Sequence, residues 1–306
     1  MRILITGASG FIGKQAVFHF IEKGYRVRAH SRRGTDNPAL QETLAGNLDR
    51  PEEVEKAFRD VDVILHLGGL AHAKDVDIEK VEKTNVEWTR LLVEHAGSRL
   101  FVYVSSSKVY GESGSFGEDS PLNPEDVYAR AKAAAEEVIV DSGVRSLIFR
   151  PPLVYGPGVR ANFLALIRAA TSGIPLPLGG MTASRHYVYV GNLLAAVQHG
   201  IERGLVGTYN VTDGGEVRLP DLLRSMARMA GRKARLISIP PKFLRLMARV
   251  ISPDAYAKIS GEFTLNTDKL QATGFKPPHS LEDGLRETMQ WYRAASIQKS
   301  LDGSAS

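Results

Sequence analysis

No cysteine occurs anywhere in the 306 residues. That absence excludes disulfide scaffolds, thiolate-bound zinc, iron–sulfur clusters and cysteine nucleophiles at once. It is compatible with a reducing compartment, so a cytoplasmic location is expected. No run approaches the ~18 apolar residues of a membrane span, and no membrane insertion is expected. The opening MRILITGASGFIG has an apolar run too short, and broken too soon by glycine, to read as a signal peptide. There is no internal repeat and no low-complexity tract. Basic residues outnumber acidic ones, 39 to 34, but they are scattered and never interleave with aromatics. A nucleic-acid partner is therefore not expected; a phosphate-bearing small substrate explains the net charge of +5 as well. With 43% hydrophobic and 24% charged residues the chain lies outside the disordered class. Its length suits one large domain or two closely joined ones, with a core that needs no metal or disulfide.

What is present first is alternation. Short apolar or β-branched runs at 2–6, 26–30, 61–67, 100–105 and 146–149 predict strands. Between them, helical periodicity or helix-start signals predict helices over 11–23, 51–58 and 78–96. A further helix runs to about Asp141, with Asn123-Pro124 read as its cap and first turn. Strand–helix alternation of this kind predicts an α/β fold: a Rossmann-type, doubly wound parallel sheet with helices on both faces. After Arg150 the texture changes. Pro151, Pro152, Pro157, Pro175 and Pro177 fall close together, and shorter helices follow near 162–170, 191–200, 220–230 and 282–292, with a strand at 207–212. We therefore expect a nucleotide-binding domain over 1–155, partly rejoined by 184–200, a smaller and mostly helical cap over 156–293, and a frayed tail over 294–306.

Between the first strand and first helix lies Thr6-Gly7-Ala8-Ser9-Gly10-Phe11-Ile12-Gly13. One glycine turns the chain, one lets backbone approach a pyrophosphate, and one lets helix pack on strand, while the helix N-terminus faces the phosphates. The spacing is one residue longer between the first two glycines than in the usual fingerprint. An ordinary tight turn would look similar, but the position at residue 7, after a strand and before a helix, points to a dinucleotide. The second strand ends His30-Ser31-Arg32-Arg33, with no acid to bind a ribose 2′-hydroxyl. Arg32 or Arg33, assisted by Ser31, suits a 2′-phosphate, so NADP(H) is favoured, with NAD(H) as the alternative.

Tyr128-Ala-Arg-Ala-Lys132 sets a phenol and an ammonium four residues apart on one helix face. It follows a strand ending in Ser105-Ser106-Ser107, whose C-terminal end opens onto the cofactor crevice of a parallel sheet. Here the chain resembles the extended short-chain dehydrogenase/reductase family of nucleotide-sugar epimerases, dehydratases and reductases. The resemblance spans about residues 1–293 and rests on TGASGFIG at 6–13, HLGG at 66–69, VSSSKVYG at 104–111, YARAK at 128–132 and RPPLVYGPG at 150–158. The stretch SRHYVYVGNL at 184–193 resembles the family's Arg-Asp-Tyr segment, with His186 where aspartate is usual.

The resemblance implies roles. Tyr128 would be the general acid/base and Lys132 would lower its pKa and bond the nicotinamide ribose. Ser106 would bond the reacting oxygen. Gly7, Gly10, Phe11, Ile12 and Gly13 would hold the cofactor's phosphates, Leu67, Gly68, Gly69 and Pro151 would pass beside it, and Asn47 and Leu48 would contact adenine. Asn47 stands where the family more often has aspartate. On the substrate side, Arg185 would grip a diphosphate, Asn162 would bond a phosphate oxygen, and Leu176 and Leu178 would hold uracil through backbone groups and apolar packing. Ser107 lies beside the reacting sugar, although a structural part fits it better. His72, just past HLGG, lies near the sugar, although an exposed loop histidine fits that place too. No metal site is implied. Helices at 78–96 and 125–141 match those that pair in the family's homodimers.

Three reactions compete. Dehydratases of the family carry an acidic pair after the catalytic hydroxyl; Ser107 and Lys108 stand there instead. Epimerases keep NAD tightly bound, while reductases release the oxidised cofactor each turnover and often use NADPH. The stretch from Arg150 to Gly179 is similar to a bacterial subgroup reducing UDP-4-keto-6-deoxy-N-acetylglucosamine, many of whose members are described as UDP-glucose 4-epimerases. A UDP-sugar 4-ketoreductase is therefore the leading expectation and a UDP-hexose 4-epimerase the alternative. A non-catalytic NADP sensor would typically lack the tyrosine–lysine pair.

Overall fold

The computed structural model describes residues 1–34, 42–70, 78–239 and 260–303. Seven strands form one parallel sheet in the order β11-β7-β5-β4-β1-β2-β3. They are β1 (Arg2–Thr6), β2 (Arg26–Ser31), β3 (Glu42–Ala45), β4 (Val63–His66), β5 (Leu100–Val104), β7 (Ser146–Arg150) and β11 (Gly207–Asn210). The central strands read as unbroken apolar runs because both faces are covered: β5, LFVYV, is buried at every position. Alternate side chains then feed two cores. Ile3 and Ile5 of β1 join the core under α1 (Phe11–Glu22), α6 (Ala161–Thr171), α7 (Val190–Arg203) and α8 (Leu219–Met229). Leu4 joins the other, under α2 (Pro51–Phe58), α4 (Trp88–Glu94) and α5 (Val127–Asp141).

Several expectations need correction. β3 was not expected, because ETLA is short and lacks a β-branched run; pairing with β2 holds it, together with an Arg28 Nε–Glu42 Oε2 bond of 2.6 Å. The helix expected over 78–96 is interrupted: α3 (Ile78–Glu82) passes through a π-turn over Lys83–Glu87 before α4. Asn123 does not cap α5. Pro124 disfavours helical geometry in the residue before it, and the cap is Asp126, whose carboxylate accepts from the Ala129 N–H at 2.7 Å. The strand near 207–212 is the edge of the main sheet, paired with β7. A second sheet, in the order β12-β9-β13-β6, joins β6 (Gly114–Phe116), β9 (Ser184–Arg185), β12 (Val217–Arg218) and β13 (Phe263–Leu265). Strands of two or three residues leave no periodicity to read. β8 (Leu153–Tyr155) pairs separately with β10 (Tyr187–Tyr189). A one-turn helix, α9 (Asp268–Gln271), follows β13, and α10 (Leu281–Gly303) runs on through most of the stretch expected to fray.

One buried ion pair fastens α5 to this framework. The Arg150 Nε reaches both Glu136 oxygens, at 3.1 and 3.0 Å, and both side chains are nearly inaccessible. The same guanidinium donates to the Tyr110 hydroxyl at 2.9 Å, which donates to Asn210 Oδ1 at 2.9 Å. Removing one partner of a buried pair strands the other charge. Glu136→Leu should therefore lower unfolding free energy by about 3–5 kcal/mol in urea titration, with Glu136→Gln less severe. A loss of under about 1 kcal/mol from Glu136→Leu would show that α5 does not depend on the pair.

Candidate active site

The site lies at the C-terminal ends of β1, β4 and β5. Gly7 has φ +70°, and a Cβ on it would sit 2.8 Å from the Gly68 nitrogen. A Cβ on Gly13 would sit 2.1 Å from the Gly7 carbonyl, so α1 packs directly on the turn. Gly10 caps α1 in an extended conformation with no side-chain bond across the helix N-terminus. Phe11 and Ile12 follow, half-buried against the core. A cradle that a Cβ would fill, at the positive end of a helix, fits the pyrophosphate of a nicotinamide dinucleotide.

The adenine end expected of such a cofactor falls at β2 and the turn after β3. The His30 Nε2–H donates to the Gly46 carbonyl at 3.0 Å and ties the two together. Ser31 is buried and its hydroxyl donates to the Gly34 carbonyl at 2.6 Å, so it has no proton left for a phosphate oxygen, and its expected part beside Arg32 is corrected accordingly. Arg32 and Arg33 are exposed. Asn47 is exposed too, whereas the Leu48 side chain is in the core and leaves only backbone for a base.

Ser106, Tyr128 and Lys132 come together. Ser106 caps a 3₁₀ turn over Ser107–Tyr110, its Oγ accepting from the Lys108 N–H at 3.3 Å and also bonding the Tyr128 phenol. Lys132, one helical turn beyond Tyr128, is buried; its Nζ donates to the Val104 carbonyl at 2.9 Å and lies 4.4 Å from the Tyr103 ring centroid. The expected lowering of the tyrosine's pKa is not what this arrangement produces. Burial pushes Tyr128 up to about 12, with the Ser106 bond opposing and the Asp126 carboxylate adding to the rise. Burial lowers Lys132 to about 8, opposed by the Glu136 carboxylate. Ser107 is buried, and its N–H occupies the Pro151 carbonyl at 2.9 Å, a structural bond for both. Lys108 is neutralised by Asp126 at 2.6 Å and Glu112 at 3.1 Å.

The substrate-side positions fare unevenly. Asn162 is exposed in the first turn of α6. Leu176 donates its N–H to Arg235 and accepts from Ile237, both at 2.8 Å, so its N–H is already spent and its carbonyl shared. Backbone recognition of a base by Leu176 is corrected accordingly; its half-buried side chain, like that of Leu178, packs on the core. The Arg185 guanidinium donates to the Gly261 carbonyl at 2.9 Å and the Glu112 carbonyl at 3.3 Å, and lies 5.9 Å from the Phe263 ring centroid. It therefore also pins the small sheet, a role motif matching did not reveal. His186 replaces the usual aspartate by accepting from the Leu265 N–H at 2.9 Å and donating to the Gly214 carbonyl at 3.0 Å. His72 lies outside the described residues. Thr6, His66, Asn85 and Thr89 are buried beneath these strand ends and were given no role of their own; the sequence signals were Thr6 opening TGASGFIG and His66 opening HLGG.

The model of the NAD dependent epimerase/dehydratase family matches residues 3–212. UDP-glucose 4-epimerase of Vibrio cholerae is 29% identical over 96% of each chain. The ceramide reductase of Caulobacter vibrioides is 28% identical over 96% of this chain and 95% of its own. The crystal structure of Thermus thermophilus UDP-glucose 4-epimerase with NAD superposes with a TM-score of 0.76 at 26% identity, covering 96% of this chain and all of that one.

Lys132 provides a pH test. An unfolded lysine titrates near 10.4, whereas Lys132 is lowered to about 8. Between these values the unfolded chain holds a proton that the folded one has shed, so this group adds stability as pH rises through that window. Side-chain NMR of labelled lysines should show one ammonium titrating near 8, missing from Lys132→Met. Titration of every lysine with the exposed ones would contradict the burial argument.

Proposed function

Because the chain belongs to the NAD-dependent epimerase/dehydratase family, we propose that it is a reductase of a UDP-linked 4-keto-6-deoxy (N-acetyl)hexosamine. NADPH is the favoured reductant, and the product is a UDP-6-deoxy sugar for surface polysaccharide. The observation that carries this reading is the end of β2. Exposed Arg32 and Arg33 stand where an NAD-specific site would hold a carboxylate. A releasable NADPH suits net reduction better than a shuttle that returns its hydride.

When bound, the nicotinamide supplies the hydride that reduces the ketone carbon. The Tyr128 phenol, held protonated by burial, delivers its proton to the carbonyl oxygen, and the Ser106 hydroxyl orients that oxygen. The Lys132 ammonium stabilises the resulting phenolate until solvent returns the proton. Lys108, bonded to two carboxylates, stands where a dehydratase needs an acid, which argues against elimination. Arg185 and Asn162 remain candidates for the diphosphate, Arg185 through the part of its fork not given to Gly261 and Glu112. Retaining NAD for 4-epimerisation is the second reading, favoured by the Vibrio relative's name and the NAD in the Thermus structure. A homodimer through helices 78–94 and 127–141, where Ile78 and Val140 are exposed, belongs to the same proposal and is tested by light scattering. A cytoplasmic location belongs to it as well; no described helix is long and apolar enough to cross a membrane.

The deciding experiment incubates the protein with NADPH or NADH and a panel of UDP- and dTDP-4-keto sugars, and reads products by NMR. Net reduction supports the reductase; tightly bound NAD on purification, with interconversion of UDP-hexoses, replaces it by the epimerase. Tyr128→Phe should lower kcat about 10²–10⁴-fold while leaving cofactor affinity intact. Unchanged turnover would remove Tyr128 from the chemistry.

Cofactor choice is tested separately. Charge-assisted bonds to a 2′-phosphate contribute about 1.5–3 kcal/mol. Replacing Arg32 and Arg33 by alanine should therefore erase any preference for NADPH and leave NADH affinity nearly unchanged. Equal affinities in the parent, measured by calorimetry, would refute the assignment.

A further inference from the structure

A closed chain of hydrogen bonds runs beneath the cofactor crevice, and its directions can be worked out from one end to the other. The Thr89 hydroxyl donates to the Asn85 carbonyl at 2.8 Å. Toward His66 Nε2, 3.1 Å away, it must then accept, so the ring carries its proton on Nε2. Nδ1 is left as an acceptor and takes the Thr6 hydroxyl proton at 2.6 Å. Thr6 Oγ1 in turn accepts from the Gly68 N–H at 3.3 Å. At the other end, the Asn85 side chain accepts from the Leu70 N–H at 2.7 Å and donates to the Leu70 carbonyl at 3.3 Å. Both ends of the chain therefore close on one loop, residues 67–70. His66, Asn85 and Thr89 are almost wholly buried, so each broken link would strand a polar group away from water.

That loop spans the distance between two parts of the site. At its start it lies against the glycine turn, where a Cβ on Gly7 would meet Leu67 and Gly68 backbone at 2.8 Å. Farther on, a Cβ on Gly69 would lie 3.8 Å from Lys132 Nζ. The His66 ring also stacks on Tyr103, with centroids 5.6 Å apart, and Lys132 sits over that same ring. The adenine end, at Ser31 and Arg32, is on the other side of the glycine turn.

We propose that His66 is a positioning residue for the nicotinamide half of the cofactor, its Nε2–H tautomer bridging Thr6 and Thr89 so that residues 67–70 are fixed between the glycine turn and Lys132. This rests on the dinucleotide reading of the site. A protonated ring would have to donate from Nδ1, reversing the Thr6 link and turning the Thr6 hydroxyl proton away from it. Burial, with the Lys132 ammonium and His30 adding to it, lowers His66 to about 3 and keeps the ring neutral.

The test uses the full-length protein without sugar substrate. His66→Phe removes both ring bonds and keeps a ring against Tyr103. Thr89→Val cuts the chain one link away at nearly constant volume, so the result does not depend on the bulkier phenylalanine being accommodated. Calorimetry would measure the Kd of the tighter-binding of NADPH and NADH, beside that of its adenine fragment, 2′,5′-ADP or ADP. Both variants should weaken the whole dinucleotide about tenfold or more, with the fragment's Kd within about twofold of the parent. Unchanged dinucleotide affinity in Thr89→Val would overturn the proposal, as would equal losses for dinucleotide and fragment, which would mark His66 as a general prop of the fold. A parent protein that binds no dinucleotide would instead overturn the cofactor reading itself and this inference with it.

Discussion

The backbone of the first turn lies so close to its surroundings that side chains are forbidden there. A Cβ on Gly13 would overlap the Gly7 carbonyl at 2.1 Å, and one on Gly7 would press into the backbone at 67–68. Much of the site follows from this closeness. It brings the start of α1 down onto the sheet's edge, aims its unpaired N–H groups into the crevice, and sets the loop after β4 against the turn. Parallel strands support the arrangement because their ends, not their buried faces, are the only places where polar groups can be presented. Thr6, His66 and Val104 are the last residues of three adjacent strands, and each holds part of the site.

A second constraint is electrostatic. Lys132 lies buried among Tyr103, His66 and the Val104 carbonyl, where water cannot solvate its charge. Burial alone drives it toward the neutral amine, and Glu136, one turn along α5, pulls the other way. Glu136 is buried with Arg150, so the charge that steadies Lys132 is also the one that fastens α5 to β7. Tyr128, on the same helix, is placed by the Asp126 cap and by Ser106. The helix that carries Tyr128 and Lys132 is thus bound to the core by the same carboxylate that steadies Lys132.

The substrate side is built differently. Arg185 and His186 both spend side-chain hydrogen bonds on backbone groups of neighbouring segments, and Leu176 spends its backbone on the segment 235–237. These positions stabilise the small sheet and an isolated β-bridge between Leu176 and Leu236. Arg185 is joined through Glu112 to Lys108 and so to Asp126 at the start of α5.

The alternation of apolar runs and helical periods was enough to find five of the seven strands of the sheet, most of its helices and the glycine turn, because a buried parallel strand and an amphipathic helix each leave a local pattern; the strand at 207–212 was found too, but not its place at the edge of that sheet. The spacing of Tyr128 and Lys132 on one helix face was likewise local, and the motifs around it led to the family. β3 and the small four-stranded sheet were not legible, since two to four residues show no period and are held only by partners far along the chain. Asn123 looked like the cap of the following helix, and the fold gave that place to Asp126 instead, three residues on and beyond Pro124. Arg185 and Leu176 matched their motifs, yet which bonds they make depended on Gly261, Glu112 and Arg235. The pKa directions of Tyr128 and Lys132 and the tautomer of His66 belong to the tertiary structure alone. Desolvation and hydrogen-bond direction arise only when segments distant in the chain close around a group and exclude water from it.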